Sequence, residues 1–401
     1  MKTKHLSALL VASLLALGLM SNADAAVFVQ CPGDKNGDAI PEGPTDPNLK
    51  CMHLGAGDGF VKMADGKLQY TFGFSDLTGV TEKNAMNAGE LAASFPAPTI
   101  TLDEGQEFYL SLTNVGMLMR PDLADPHTVH FHGFPNASSI FDGVPDASIS
   151  ITAGATLTYY YNVVRPGTYM YHCHVEAAEH MQMGMLGNLY VKAGQNRLGE
   201  GTDLNGFTHH TGYEYVYNDG DGSTYYDVEY PIQLGSFDSD FHDASLTVQP
   251  LPFANMQDDY AMLNGRGYPD TLNPNPLTPP AENGGKLSQV VSSLITANPN
   301  QKILLRISNL NVTRFYTLGV SGGLKMKVVG RGARLQRGPD GKDLYYDTNA
   351  VTLGGGEAVD VIIDTAGTTS GQTYFVYTTN LNYLSNNNED FGGMMTEIRI
   401  N

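Results

Sequence analysis

"GTYMYHCHVEAAEHMQMGM" is the sequence of residues 167–185, and its first half has the alternation of a β-strand. Successive side chains in a strand point to opposite faces, so His172 and His174 share one face and Cys173 points to the other. After Cys173 the chain is expected to leave the strand through VEAAE and to continue as a loop. That loop would bring His180 and Met185 back beside the sulfur.

A second histidine-rich strand is predicted at residues 126–133, which read PHTVHFHG. By the same alternation His130 and His132 point to one face, and His127 points to the other. Pairing of the two strands would place His127 and Cys173 together. It would also gather four histidines on the opposite face: His130, His132, His172 and His174.

The first 26 residues have the pattern of a secretory signal peptide. Lys2 and Lys4 precede an apolar run over residues 6–20, and a small-residue cleavage site follows at Ala23 to Ala25. The apolar run is about 15 residues long, whereas roughly 20 are needed to span a bilayer. We therefore expect a periplasmic or secreted protein with no membrane span after cleavage.

Cysteine usage points to a metal. Cys31 and Cys51 lie close together in a segment rich in proline and glycine, and a local disulfide is their natural assignment in an oxidising compartment. Cys173 then has no partner. Because an unpaired thiol is a liability outside the cell, we expect a metal to hold its sulfur.

The ligand types identify that metal as copper. Two histidines, a thiolate and a weak thioether form a type 1 copper site, which is suited to electron transfer. The four predicted ligands are His127, Cys173, His180 and Met185. Zinc would accept the histidines and the thiolate, but a thioether is a poor zinc ligand.

The rest of the chain predicts an all-β fold. Short apolar or alternating runs are separated by Gly, Pro, Asn and Asp, and a helix of three or more turns is suggested only at residues 287–297. We expect two Greek-key β-sandwich domains behind an irregular N-terminal extension. The predicted segments are a signal peptide (1–26), the extension (27–65), a first domain (66–195), a linker (196–228) and a second domain (229–401).

Charge excludes one class of partner. The chain has 42 acidic and 23 basic residues, and no block of Lys or Arg. Nothing in it would neutralise a phosphate backbone, so nucleic-acid binding is not expected.

Residues 95–192 resemble a copper-binding cupredoxin domain of the multicopper oxidase and copper nitrite reductase superfamily. The motifs FPAPTITLDEGQEFYLSLTN, HTVHFHG, FDGVP, GTYMYHCH and H-x₄-M occur in the order of that family. His180 follows Cys173 by seven residues, where the usual oxidase motif has five. Residues 229–401 resemble a copper-free second domain through LNGRGYPDT, LLRISNLN and GGGEAVDVIID.

The resemblance implies roles for the remaining site residues. His130 and His132 match type 2 and type 3 copper ligands, and His172 and His174 match type 3 ligands. Asp142, in FDGVPD, matches an acid that could deliver protons near the oxygen site. The family builds its trinuclear cluster from eight histidines in four HxH pairs, whereas this chain has two pairs. The other candidates, His53, His209, His210 and His242, form no such pair.

Three functions agree with this pattern. The first is an oxidase that takes electrons from a small molecule or a metal ion, reduces O₂, and completes its cluster in a homo-oligomer, for instance across a two-fold contact between copper domains. The second is an enzyme like nitrite reductase, with one type 2 copper. Against it, His130 stands where that family has an active-site Asp. The third is a blue-copper electron carrier without turnover.

Overall fold

The computed structural model describes residues 30–401, so the predicted signal peptide lies outside the described residues. Strands dominate, and the prediction of an all-β fold is confirmed. The described residues contain three short α-helices: α1 (Glu82–Gly89), α2 (Ala177–Gln182) and α3 (Ser239–Ser245). No helix within residues 30–401 has the length and apolarity needed to cross a bilayer.

Two four-stranded sheets form the first sandwich. Their strands are β1 (Leu49–Lys62), β2 (Leu68–Asp76), β3 (Ala97–Asp103), β4 (Glu107–Gly116), β5 (His130–His132), β6 (Thr156–Asn162), β7 (Gly167–His172) and β8 (Leu186–Lys192). One sheet has the order β2-β1-β4-β6, and the other has the order β3-β8-β7-β5.

Alternation along the strands builds the core between these sheets. Phe108, Leu110 and Leu112 are fully buried at every second position of β4. From the opposite sheet, Phe131 stacks on Tyr161 with 4.0 Å between ring centroids. Because Phe131 points into the core, its two neighbours on β5 must point away from it. This packing orients the histidines of β5.

The predicted extension at 27–65 is not irregular throughout, because its residues 49–62 form β1. This strand pairs antiparallel with β2 and parallel with β4, in the middle of the first sheet. Its glycines weaken the strand signal in the sequence, but they fit a crowded site: a Cβ at Gly57 would lie 2.5 Å from Val115 Cγ2. The expected disulfide between Cys31 and Cys51 is confirmed. It ties the preceding loop to β1.

The predicted linker at 196–228 contains two small hairpins. Their strands are β9 (Asp203–Leu204), β10 (Phe207–Thr208), β11 (Glu214–Tyr215) and β12 (Tyr225–Tyr226). Val216, Tyr217 and Tyr226 are buried against Leu304 and its neighbours in the second sandwich. The segment is therefore packed onto the second sandwich along part of its length.

Two sheets also form the second sandwich, one of nine strands and one of five. The strands are β13 (Val228–Phe237), β14 (Tyr260–Leu263), β15 (Ile295–Ala297), β16 (Lys302–Asn309), β17 (Tyr316–Val320), β18 (Met326–Arg331), β19 (Arg334–Leu335), β20 (Tyr346–Thr348), β21 (Ala350–Leu353), β22 (Glu357–Asp364), β23 (Thr373–Thr378), β24 (Ser385–Asn386), β25 (Glu389–Gly392) and β26 (Met395–Ile400).

The suggested helix at residues 287–297 is wrong. This segment runs without a helix and ends in β15, which pairs with β26. Its polar side chains bond to distant backbone instead of lying on a helix surface: Gln289 Nε2 donates to the Gly265 carbonyl, and Ser293 Oγ donates to the Leu263 carbonyl. These long-range bonds outweigh the local apolar periodicity.

A buried polar network joins the second sandwich to β7. Thr168 on β7 and Tyr217 both donate hydrogen bonds to the carboxylate of Asp360 on β22. Arg306 is fully buried beside them, and its Nε donates to Glu229 Oε2 at 2.8 Å. The second sandwich is thereby held against the strand that carries His172.

Candidate metal centre

The register of β5 and β7 sets the arrangement of the histidines. His130 lies directly opposite His172, and His132 lies opposite Met170, in an antiparallel pair. His127 precedes β5 and is held by an isolated bridge to Ile151. The structure therefore places two groups of side chains on opposite sides of the end of β7. We call them the thiol side and the cavity side.

The thiol side consists of His127, Cys173 and His180, all with 0% exposure. The Cys173 sulfur lies 3.2 Å from His180 Nδ1 and 3.8 Å from His127 Nδ1. The three ligand atoms lie within 4.8 Å of one another, close enough to share one metal ion. These three residues alone provide two ring nitrogens and one thiolate as metal ligands.

Met185 is brought to the thiol side by backbone hydrogen bonds. Its N–H donates to the His180 carbonyl at 2.8 Å, and its carbonyl accepts from the Cys173 N–H at 3.1 Å. The side chain is fully buried in the same apolar cluster as Cys173. The segment before it was expected to be a loop but contains α2, entered through Glu176 at φ +44°. This helical turn carries His180.

Electrostatics on the thiol side favour a cation. Burial alone would raise the pKa of the Cys173 thiol, but hydrogen bonds from His127 and His180 hold it well below its usual range. Burial would likewise lower the pKa of His180, yet Asp125 and Cys173 raise it to about 10. A thiolate is thus stabilised here by the positive charge around it. A copper ion in place of the ring protons fits this donor set.

Asp125 is a residue that the sequence did not single out. Its Oδ2 lies 3.9 Å from His180 Nε2, on the far side of the ring from the sulfur. Interaction with His180 lowers the pKa of Asp125, so the group is a carboxylate at neutral pH. A carboxylate at this ion-pair distance favours positive charge on the His180 ring, whether from a proton or from a bound metal ion. The segment MRPDLADPH contains two aspartates and no motif that distinguishes Asp125.

The cavity side gathers the four remaining histidines. Ring nitrogens of His130, His132 and His172 lie within 4.8 Å of one another. His132 Nδ1 is 3.3 Å from His172 Nε2, and the rings of His130 and His174 are 5.2 Å apart. Three nitrogens at these distances can hold one metal ion, with His174 beside them.

Contacts with the backbone determine which ring nitrogen of each histidine faces the cavity. The carbonyl of Asp142 lies 2.6 Å from His130 Nδ1, and the carbonyl of Cys173 lies 2.8 Å from His172 Nδ1, so the Nε2 atom of each ring faces the cavity. His132 is turned the other way by Gly356, where φ is +85° and an added Cβ would lie 2.8 Å from Nε2. Glycine avoids both this close contact and the strain of a positive φ.

Two of the histidines on the cavity side, His132 and His172, are neutral at physiological pH. Burial lowers the pKa of His172 to about 3, and it also lowers the pKa of His132. Positive charge on the neighbouring rings acts in the same direction. Neutral rings keep the lone pairs that a metal needs, so this donor set also fits copper.

Asp142 is close to this group. Besides its carbonyl contact, its carboxylate lies 3.5 Å from His130 Nδ1 and is half-exposed. The four other histidines considered as ligands do not line the cavity within the part of the chain that the structure describes: His53 contacts Thr113, His209 contacts Tyr215, His210 contacts Glu200, and His242 contacts the carbonyls of Tyr70 and Gln182.

A cavity of about 500 Å³ opens over the four histidines. Its opposite wall comes from the second sandwich, through residues 310–315 and 355–356. The sequence indicated no copper ligands in that domain, and so it gave no reason to expect that the domain would shape the site. This wall forms only because the two sandwiches pack together, and local sequence patterns do not predict such packing.

Residues 78–196 match the sequence model of the multicopper oxidase family. Two curated relatives are the multicopper oxidase MmcO of Mycobacterium tuberculosis, 37% identical over 82 residues, and the laccase abr2 of Aspergillus fumigatus, 34% identical over 105 residues. The matches cover 20% and 26% of this chain, but only 15% and 16% of those proteins. The similarity in sequence thus lies in the histidine-rich domain.

Solved structures share the fold over most of the chain. A blue copper oxidase from Nitrosomonas europaea aligns with a TM-score of 0.60 and 20% identity, covering 88% of this chain and 86% of that one. A copper nitrite reductase from the same organism aligns with a TM-score of 0.56 and 15% identity, covering 88% and 94%. The resemblance of residues 95–192 to a multicopper oxidase domain is confirmed by the family match, and the fold is shared with a copper oxidase and a copper nitrite reductase.

Proposed function

We propose that this protein is a secreted copper-dependent oxidoreductase of multicopper oxidase type, which takes electrons from a small-molecule or metal-ion donor and delivers them to O₂. The observation that carries the proposal is the placement of His172, Cys173 and His174. One uninterrupted backbone segment joins the sulfur on the thiol side to two rings on the cavity side. An electron accepted beside the sulfur has only a few covalent bonds to cross.

Copper would supply one-electron redox chemistry on the thiol side and O₂ binding on the cavity side. His127, Cys173, His180 and Met185 provide a dry and rigid ligand set, as electron transfer requires. On the other side His130, His132, His172 and His174 border an open cavity that admits a small acceptor. The buried site would thus transfer electrons, and the site beside the open cavity would bind the acceptor.

Asp142 is the proposed proton donor. Reduction of O₂ to water consumes protons, and a carboxyl group that is half-exposed can exchange them with solvent. Its carboxylate lies 3.5 Å from His130, on the edge of the histidine group. The backbone carbonyl of the same residue orients that ring.

A second copy of the chain is proposed to complete the oxygen site. One chain supplies four histidines, whereas the family uses eight, and the described part of the second sandwich lines the cavity without a histidine. Val312 and Phe315, which line the same cavity, are 37% and 75% exposed. A homo-oligomer that covers them would bury apolar surface and bring further histidines. A two-fold contact between copper domains would do this symmetrically.

A nitrite-reducing enzyme with a single type 2 copper is the second candidate. One observation supports it: ring nitrogens of His130, His132 and His172 lie within 4.8 Å of one another, close enough to hold one copper ion inside one chain. No partner would be needed to complete it.

Export is supported by two features that do not depend on the copper sites. The disulfide between Cys31 and Cys51 forms in oxidising compartments. The residues before it have the pattern of a signal peptide. A periplasmic or secreted location agrees with both.

The choice of acceptor is testable on the copper-loaded protein. Oxygen uptake should be measured with a phenol and with Fe(II) as donors, and nitrite consumption should be measured without oxygen using a reduced dye. The proposal expects oxygen uptake with at least one donor. Nitrite consumption without oxygen uptake would favour the second candidate. If the copper-loaded protein is blue but reduces neither acceptor, the remaining function is that of an electron carrier.

A further inference from the structure

Arg314 is the one formally charged side chain among the residues that line the cavity, apart from any charge on the histidines. No Asp or Glu lines it, although acidic residues outnumber basic ones 42 to 23 in the chain. Within residues 30–401 Arg314 makes no ion pair, and its buried Nε has no hydrogen-bond partner. This guanidinium is therefore an unneutralised cation in an acidic protein.

The loop that carries Arg314 is held in place by its neighbours. Thr313 Oγ1 donates to Asp258 at 2.6 Å, and Asn311 Nδ2 donates to the Leu234 carbonyl at 3.1 Å. Asp258 also accepts hydrogen bonds from Ser236 and Gln182. The nearby acid is thus engaged by neutral donors, while Arg314 keeps its own donors for something else.

We propose that Arg314 makes the cavity a binding site for a small planar oxyanion, either a carboxylate or nitrite. An arginine presents its N–H groups as a fork that matches two oxygens on one centre, and such charged pairs are stronger than neutral hydrogen bonds. A cavity of about 500 Å³ accommodates an anion of this size together with water.

The inference deepens the proposed function, because it concerns the same cavity and names a class of ligand for it. The proposed oxidoreductase function determines only the role of the bound anion, which would either accept electrons or compete with O₂. Binding itself requires only Arg314 and the cavity. It can therefore be measured on the copper-free protein, where a failure of anion binding and a failure of oxidase activity are separate results.

The test is a titration of the copper-free chain at pH 8, where the cavity histidines His132 and His172 are neutral and an arginine side chain is charged. Binding of ¹³C-formate is followed by broadening of its NMR signal, and nitrite is tested by its ability to compete. Wild-type protein should bind saturably. Arg314→Gln should weaken binding by roughly tenfold or more, as expected for a lost charge-assisted hydrogen bond. Arg314→Lys keeps the charge but not the fork, and should fall between the two.

Arg331→Gln is the matched control, since that arginine bonds to Tyr346 and does not line the cavity. It should bind formate as the wild type does, and circular dichroism should show that every variant is folded. Binding of formate alone, of nitrite alone or of both would support the site and identify its ligand. The proposal is overturned if neither anion binds saturably, or if folded Arg314→Gln binds both as tightly as wild type.

Discussion

His172 on the cavity side and Cys173 on the thiol side are adjacent in the chain, at the end of β7. The two sides nevertheless differ in burial and in the residues that surround them. His127, Cys173 and His180 are fully buried, and the polar groups that contact them, the Asp125 carboxylate and the Val175 carbonyl, belong to the first sandwich. The cavity side is open, and half of its wall comes from the second sandwich. Strand alternation is what allows neighbouring residues to serve such different environments.

This contrast suggests a division of work. A closed site with preorganised ligands needs little rearrangement when an electron arrives, whereas an open site must admit an acceptor and release a product. Each side can be tested separately, because a substitution on one face of the strand should leave the metal site on the other face intact.

Cys173→Ser should have the largest effect. A hydroxyl cannot replace the thiolate, so the blue charge-transfer band of the copper-loaded protein should disappear entirely. Visible absorption measures this directly. His210→Ala, which removes a histidine paired with Glu200 at the surface, should keep the full band. A band that persists without Cys173 would disprove the assignment of the thiol side.

His130→Ala and His174→Ala should separate the two sides. Both rings face the cavity, so the blue band should remain while oxygen uptake falls. The loss should be at least as large as the roughly 10–100-fold cost of removing a partner behind a metal ligand. Parallel absorption and oxygen-electrode measurements give both values. Loss of colour with retained uptake would reverse the assignment of faces.

Asp125→Asn should weaken the thiol side without abolishing it. Without the carboxylate behind His180, copper affinity should fall by roughly 10–100-fold. Titration of the blue band against a competing chelator measures the affinity. Asp146→Asn replaces an exposed acid elsewhere and should behave as wild type. Equal affinities for both variants would show that Asp125 does not support His180.

Gly356→Ala should have the smallest effect, confined to the cavity side. The added Cβ would collide with His132 and would also occupy a positive φ, which costs about 1–2 kcal/mol. Gly367→Ala is a matched control, because its φ is +83° but nothing lies within 4 Å. Oxygen uptake should fall only for Gly356→Ala, although urea unfolding should show a cost in both. Equal uptake would mean that His132 tolerates the shift.

The sequence was informative wherever a local period determines the structure. Alternation alone predicted that Cys173 and His172 point to opposite faces, and the structure places them so. Glycine-rich β1 was missed because its strand character depends on close packing and not on side-chain propensity. Asp125 and Arg314 were missed because each acts on groups brought to it by folding, without any motif of its own.

The central claim is that one chain carries two different copper sites, one on each side of Cys173. Copper content per chain, determined on the sized and loaded protein together with its electron paramagnetic resonance spectrum, tests this most directly. The account predicts at least two coppers per chain and a signal in addition to that of type 1. One copper per chain with only a type 1 signal would contradict it and leave an electron carrier.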